Sequence, residues 1–222
     1  MTNLPNFDQL PTVYGQTGCA WDIWGRDDEL GTVNLLTDTV VRKSAKEINK
    51  PINFFPQGQV HLDPANIDQE RIKYGIHNWS QHGICGRGVL IDLVDYYTQK
   101  YGKLHYDPWT SHSISLQDIL DCAKSQNVTF KRADILILRI GYIQKYHSSS
   151  TTQEMRDSLC RKPETFAGIE QTEDMKRFLW DNHLVAIASD QPVVENWPPP
   201  EGTPTLHQTL LPFWGMPIGM PG

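Results

Sequence analysis

The sequence predicts an α/β fold in which helices pack on a mixed or parallel sheet. Short aliphatic runs without polar alternation lie at residues 89–91, 135–140 and 184–188, and such runs are typical of strands buried on both faces. Helical patterns precede two of these runs, within residues 115–140 and 172–188. Helix followed by strand, repeated along the chain, favours an α/β sheet over an all-helical or all-strand fold.

Three helices are predicted from their start signals and their apolar faces. The first begins at Thr37 and ends before Pro51, which cannot continue a helix. The second begins at Ser115, where Asp118 three residues on completes a capping-box pattern. The third follows Thr172 and has acidic residues in its first turn. In each of them, apolar residues recur at the spacing of one helical face.

The chain of 222 residues has no linker-like stretch, so a single domain over 1–222 is predicted. Residues 1–20, rich in Pro, Asn and Gly, form a predicted N-terminal arm that wraps the surface or reaches toward a neighbouring subunit. Residues 196–222 form a Pro/Gly-rich C-terminal segment, and its first part, 196–204, is predicted to be an ordered loop or extended arm without helix.

Composition excludes several classes of function. The net charge is −6 with acidic and basic residues interspersed, so no concentrated positive surface is predicted that would bind nucleic acid. No signal-peptide pattern and no apolar stretch of membrane-spanning length occur in the sequence. The four cysteines form no CxxC pair, which favours free thiols in a reducing compartment. The predicted location is therefore the cytoplasm, with no nucleic-acid or membrane partner.

The segment 75–92 is predicted to be a polar, glycine-punctuated loop that runs into a buried strand. Its GxxGxG spacing, with no helix after it, does not favour a dinucleotide site. His77 and His82 are candidates for metal ligands or acid–base groups. The alternative is that both histidines hold the loop in place by hydrogen bonds. Asp190 lies just past the C-terminal end of the third predicted strand, at the edge where α/β sheets bind ligands.

Four blocks of the sequence resemble the cyclase family, which includes kynurenine formamidase and isatin hydrolase. The likeness covers most of the chain and is closest to a larger, Trp-rich branch of the family found in fungi. The blocks are residues 21–48, with Trp-Asp-Ile-Trp-Gly-Arg-Asp-Asp-Glu-Leu-Gly; 75–92; 130–142, with Ala-Asp-Ile-Leu-Ile-Leu-Arg-Ile-Gly-Tyr; and 166–219, with Glu195-Asn-Trp-Pro and Leu206-His207-Gln-Thr-Leu-Leu.

The resemblance implies a swivelling β/β/α domain that binds a divalent metal and hydrolyses amides or lactam-like rings of small metabolites, such as N-formylkynurenine-like compounds. Family members commonly pair, so the resemblance also implies a homo-oligomer. Trp21 and Trp24 are predicted to cross to a neighbouring subunit from the N-terminal arm.

The sequence departs from the family in its metal segment. The family carries an HxxTHxDxxxH run, which belongs between residues 52 and 75, but this interval is short and only His61 and Asp63 keep the HxD spacing. Gln57 and Ile67 stand where the outer histidines belong. The C-terminus looks truncated as well, since Met220 stands where the family has a glutamate.

A hydrolytic metal site needs about three protein ligands and one open position for water. His61 and Asp63 would point to one face of an extended strand, and the resemblance implies His207 as the third ligand. Mixed imidazole and carboxylate ligands suit zinc or manganese. The alternative is that the metal site has been lost and that residues 61–63 are a solvated turn or strand end.

The predicted catalytic residues are His82 as a proton shuttle and Asp190 or Glu195, either of which orients a ligand or acts as a general base. Aromatic side chains either wall a pocket for a planar substrate or pack the core. They are Trp79, Trp109, Trp197 and Trp214.

Three hypotheses about function follow. The first is a metal-dependent hydrolase or ring-forming enzyme acting on a small molecule. The second is a repurposed cyclase-fold protein that binds a small molecule or a partner subunit without metal chemistry. The third is a gene-model or splice product that lacks an exon, since the flanking blocks match while one segment is short.

Overall fold

The computed structural model describes residues 4–13, 15, 17–44, 76–160 and 163–219. Helices and strands alternate along most of this part of the chain. The strands are β1 (Gly88–Asp92), β2 (His112–Ile114), β3 (Ile135–Arg139), β4 (Ala167–Ile169), β5 (Ala186–Ser189) and β6 (Ile218–Gly219). The helices are α1 (Asp38–Ser44), α2 (Ile76–His82), α3 (Leu93–Tyr101), α4 (Leu116–Ser125), α5 (Tyr142–Tyr146), α6 (Gln153–Ser158), α7 (Glu173–Asp181) and α8 (Leu206–Leu210), and two 3-10 turns span Phe7–Gln9 and Gly31–Leu35.

The described strands form two parallel sheets. The larger has the order β1-β3-β5-β6, and the smaller pairs β2 with β4. In the larger sheet Leu136 lies opposite Val89 and Ile187, and Ile187 lies opposite Ile218. The predicted α/β class is confirmed, and every pairing between described strands is parallel.

The predicted helix starts are confirmed at α4 and α7. Ser115 accepts the backbone N–H of Asp118, whose carboxylate in turn accepts the N–H of Ser115, so the capping box forms as predicted. Thr172 caps α7 through the N–H of Met175. Helix α1 begins directly after Thr37, and the remainder of its predicted span lies outside the described residues.

Two sequence predictions were wrong for residues 76–92, which form α2 and β1. Strand β1 is not buried on both faces: Val89 and Ile91 point into the core, but Leu90 is 46% exposed. The reason is that β1 pairs with a described strand on one side alone. Residues 76–82 are helix α2 rather than loop, because no glycine or proline interrupts them. This helix ends at Gly83, which has a φ of +78°.

The N-terminal arm packs against its own chain. Phe7 is buried in the main core, and its backbone N–H donates to Asp181 Oδ1 at 2.7 Å. Trp21 donates its ring N–H to the carbonyl of Pro212, and the ring of Trp24 packs edge-on against Trp180. Both tryptophans predicted to cross to a neighbour therefore contact the same chain. Homo-oligomerisation and the single-domain boundary stay predictions.

The C-terminal segment agrees with its predicted character, since residues 196–204 contain no helix. The chain then enters α8 and returns to the larger sheet as β6. None of the helices within the described ranges is long and apolar enough to cross a membrane.

Candidate active site

A buried carboxylate and a histidine form the most chemically distinctive contact at the C-terminal side of β5. Glu195 is fully buried, and its two oxygens lie 2.8 Å and 2.7 Å from Nδ1 of His207. The backbone N–H of His207 also donates to Glu195 Oε1 at 3.3 Å. One carboxylate therefore fixes both the backbone and the ring of His207.

Helix α8 presents His207 in its first turn. Thr205 caps this helix by accepting the N–H of Gln208 at 3.2 Å, and the Gln208 side chain accepts the N–H of Thr205. Since a carboxylate only accepts hydrogen bonds, Nδ1 of His207 carries the proton. No described residue makes a hydrogen bond with Nε2, so within this part of the chain its lone pair can bind a cation or a proton. The His207 side chain remains 21% exposed, so a small molecule can approach the ring.

Backbone pairing with β4 holds Glu195 in place. Ile169 donates its N–H to the carbonyl of Val194 at 3.1 Å and accepts the N–H of Asn196 at 2.9 Å. Phe166 and Trp197 exchange both of their backbone hydrogen bonds at 3.0 Å. Residues 194–197 therefore lie along the edge of the smaller sheet, and Glu195 is fixed between these bonds.

Asp190 has a different set of partners from Glu195. Its carboxylate accepts the backbone N–H groups of Ile140 at 2.6 Å and Gly141 at 2.8 Å. Gly141, with a φ of +110°, turns the chain from β3 into α5. Burial raises the pKa of Asp190 above its usual range, although these hydrogen bonds act in the opposite direction. Asp190 lies at the sheet edge predicted for it, where both oxygens close the turn after β3.

His82 is the last residue of α2, and its side chain is exposed. Its Nδ1 lies 2.9 Å from the carbonyl oxygen of the adjacent Gly83. Within the described part of the chain, no hydrogen bond joins His82 to Asp190, Glu195 or His207. Its role as a proton shuttle stays a prediction.

The structure tests the predicted metal ligands only in part. His61 and Asp63 lie outside the described residues. Across the residues that are described, no three His, Cys, Asp or Glu side chains converge closely enough to hold a metal ion. His207 has the form of a metal ligand, since its Nδ1–H is held by a carboxylate and its Nε2 has no hydrogen-bond partner among the described residues. Of the three predicted metal ligands, His207 is therefore the one that lies among the described residues.

The sequence did not predict the buried side chain of Gln191 or the hydrogen bond between Ser111 and Asn196. Gln191 directly follows Asp190 and is fully buried, and neither its amide nitrogen nor its amide oxygen has a hydrogen-bond partner among the described residues. Ser111 donates its hydroxyl to the side-chain oxygen of Asn196 at 3.0 Å and so ties the segment before β2 to the segment that carries Glu195. Sequence position alone does not reveal these contacts.

A cavity of about 310 Å³ lies beside α5 and α6, with Trp109 and Phe166 among its lining residues. The Lys145 ammonium sits 4.4 Å from the centre of the Trp109 ring and 2.6 Å from Asp107 Oδ1. Of the four tryptophans predicted either to wall a pocket or to pack the core, Trp109 lines this cavity. Trp214 is instead buried in the core and donates its ring N–H to the carbonyl of Gly18. Trp79 and Trp197 are half-buried.

Comparison with known proteins agrees with this architecture. The model of the family described as "Putative cyclase" matches residues 16–196. A solved structure described as "Crystal structure of a novel cyclase" is similar with a TM-score of 0.63 and 19% sequence identity, over 91% of this chain and 85% of that chain. At this identity the likeness supports the fold alone. No curated protein matches the sequence. The family match spans most of the chain, including β1 to β5 and Glu195, and the chain belongs to the cyclase family.

Proposed function

We propose that this protein is a metal-dependent hydrolase or ring-forming enzyme that acts on an amide, lactam or lactone-like bond of a small metabolite. Membership of the cyclase family makes an enzyme the expected class of protein. The choice of substrate bond and of metal dependence is our own step beyond the family. N-formylkynurenine-like aryl amides are the first substrates to test.

The observation that carries the proposal is the contact between Glu195 and His207. A fully buried carboxylate is costly unless it is paired and hydrogen-bonded. Glu195 accepts bonds from one residue, through its ring and its backbone, at 2.7 Å to 3.3 Å. A half-buried histidine held in one tautomer, with no described residue bonded to Nε2, is the arrangement that ligand binding and proton transfer require.

The proposed metal ligands are His61, Asp63 and His207, with zinc or manganese as the ion. When bound, such an ion supplies Lewis acidity and lowers the pKa of water. Glu195 then fixes the ring of His207 and favours its ligand form by accepting the Nδ1 proton. Asp190 keeps the turn between β3 and α5 closed by accepting two backbone N–H groups.

The test combines metal analysis with an activity assay. Purified protein is expected to contain about one equivalent of zinc or manganese, and to hydrolyse an aryl formamide faster when that metal is added. Removing the general acid–base or ligand function of His207 with His207→Ala should lower kcat/KM by about 10²–10⁴-fold. His147→Ala is the matched control, since His147 is exposed and lies outside the Glu195 contact.

The competing function is a repurposed cyclase-fold protein without metal chemistry. The shortened metal segment between residues 52 and 75 favours it. Protein that binds neither zinc nor manganese and that turns over no aryl amide, lactam or lactone would establish this alternative and reject the hydrolase. Equal activity of His207→Ala and His147→Ala would reject the role of His207 but would leave the hydrolase itself standing.

A further inference from the structure

We propose that Gly168 is a positioning residue for the candidate active site, because the absence of a side chain there lets the backbone of Glu195 approach β4 and so sets where the Glu195 carboxylate meets His207. This inference rests on the proposed function for its catalytic meaning. The placement of the two side chains, however, can be measured without any substrate.

The geometry at Gly168 leaves no room for a side chain. A Cβ added there would lie 2.2 Å from the carbonyl carbon of Glu195, 2.3 Å from its oxygen and 2.6 Å from the backbone nitrogen of Asn196. All three atoms are backbone, so a side-chain rotation cannot relieve the overlap. Gly168 is not among the glycines with positive φ, so the requirement at this position is for space rather than for an unusual backbone conformation.

Neighbouring contacts keep the two segments at this distance. Gly168 lies in the middle of β4 and pairs with Ser113 of β2 on one side. On its other side, the hydrogen bonds of Phe166 and Ile169 to residues 194–197 flank it in sequence. The Gln171 side chain also donates to the carbonyl of Asn196 at 2.7 Å. The chain carrying Glu195 is therefore bound to β4 on both sides of the point of closest approach.

The size of the expected displacement follows from these distances. Ordinary contact for a Cβ begins at 3.4 Å, and the added atom would lie at 2.2 Å. The Glu195 backbone must therefore withdraw by about 1.2 Å, or β4 must shift by a similar amount. The bonds to Nδ1 are 2.7 Å and 2.8 Å, and a change of this size takes them beyond hydrogen-bonding distance.

The first experiment measures the tautomer of His207 by nitrogen-15 NMR of the histidine rings, at about pH 8.5, above the usual titration range of histidine. The His207 signals are assigned with His207→Gln. In the wild-type protein we expect the proton on Nδ1. In Gly168→Ala we expect a mixture of tautomers or the proton on Nε2, because the acceptor has moved away.

The matched control is Gly86→Ala. A Cβ at Gly86 would lie closest to the end of the Leu36 side chain, at 3.0 Å, and this side chain can rotate away. The φ angle of Gly86 is not in the positive range. Its His207 signals should equal those of the wild type. A folded Gly168→Ala protein with the wild-type His207 tautomer would overturn the inference.

A second variant keeps the inference testable if Gly168→Ala does not fold. Gln171→Ala removes the side-chain bond to the carbonyl of Asn196 and adds no atom, so it loosens the same segment without a clash. We expect a partial shift of the His207 tautomer. A folded Gln171→Ala protein with unchanged His207 signals would count against the inference.

Kinetics then separates this inference from the proposed function. In an active enzyme Gly168→Ala should lower kcat by about 10–100-fold with little change in KM, and the double variant with Glu195→Gln should lose little more than either single variant. One outcome is that the wild-type protein has no hydrolase activity while Gly168→Ala still changes the tautomer of His207. That pair of results would support the positioning role and reject the hydrolase. Independent, additive losses of kcat in the double variant would contradict the positioning role.

Discussion

Two carboxylates that lie five residues apart, Asp190 and Glu195, serve different purposes. Asp190 accepts two backbone N–H groups, from Ile140 and Gly141, and closes the turn that starts α5. Glu195 accepts the ring N–H of a histidine and the backbone N–H of the same residue. Both follow β5, and both were predicted to orient a ligand or to act as a base. Their partners, rather than their position along the chain, distinguish a structural carboxylate from one suited to a catalytic site.

The largest effect is expected from Asp190→Ala. This change leaves two buried N–H groups, those of Ile140 and Gly141, without an acceptor. Each unsatisfied group costs about 1–3 kcal/mol, and relief of the buried charge offsets part of that cost, so we expect a loss of about 2–4 kcal/mol in the free energy of unfolding in urea. Asp174→Ala is the control: its side chain is 80% exposed and paired with Arg177, so its loss should stay below about 1 kcal/mol. Equal losses would show that Asp190 is not a structural clamp.

Glu195→Gln should act on turnover more than on folding. The amide fills the same space but binds the ring N–H of His207 less strongly, since it is neutral. We expect kcat to fall by about 10–100-fold, with native circular dichroism. Glu201→Gln, at an exposed position, should leave kcat unchanged. Wild-type turnover in Glu195→Gln would place Glu195 with Asp190 as a structural group.

A smaller effect is expected when the cap of α8 is removed. Thr205→Ala should cost about 1 kcal/mol of stability and lower kcat a few-fold, because α8 carries His207. Thr152→Ala removes the equivalent cap from α6 and should cost similar stability without changing kcat. Urea unfolding and steady-state kinetics on both variants check this, and parallel changes in kcat would argue that α8 has no special link to the reaction.

The smallest effect concerns pH. Burial raises the pKa of Asp190 in the folded protein, so folding favours its protonated form. Its contribution to stability is therefore greatest below the ordinary aspartate range, and it is lost as pH rises through the raised pKa. We expect the free energy of unfolding of the wild type, relative to Asp190→Asn, to increase as pH falls from about 7 to about 4. A constant difference would mean that the hydrogen bonds balance the effect of burial on the pKa of Asp190, and a difference of opposite sign would mean that they outweigh it.

Local patterns predicted α4, α7, β3 and β5 because the causes of these elements are local, whereas α3, α5, α6, α8, β2, β4 and β6 were not predicted. The capping residues Ser115 and Thr172 and the aliphatic runs that became β3 and β5 act through neighbouring residues. The pattern was misleading at β1, where Leu90 is exposed, because an aliphatic run does not reveal whether its strand lies at the edge of a sheet. It was also misleading at α2, where flanking glycines suggested a loop throughout.

The sequence alone determined the α/β class, the starts of α4 and α7 and the candidate residues Asp190, Glu195 and His207, since residue type, spacing and family resemblance are properties of the chain itself. Tertiary structure alone decided that Glu195, and not Asp190, holds His207. A hydrogen bond between side chains twelve residues apart depends on how β4, the segment 194–197 and α8 pack together. The space left by Gly168 is part of that packing, and no local pattern encodes it.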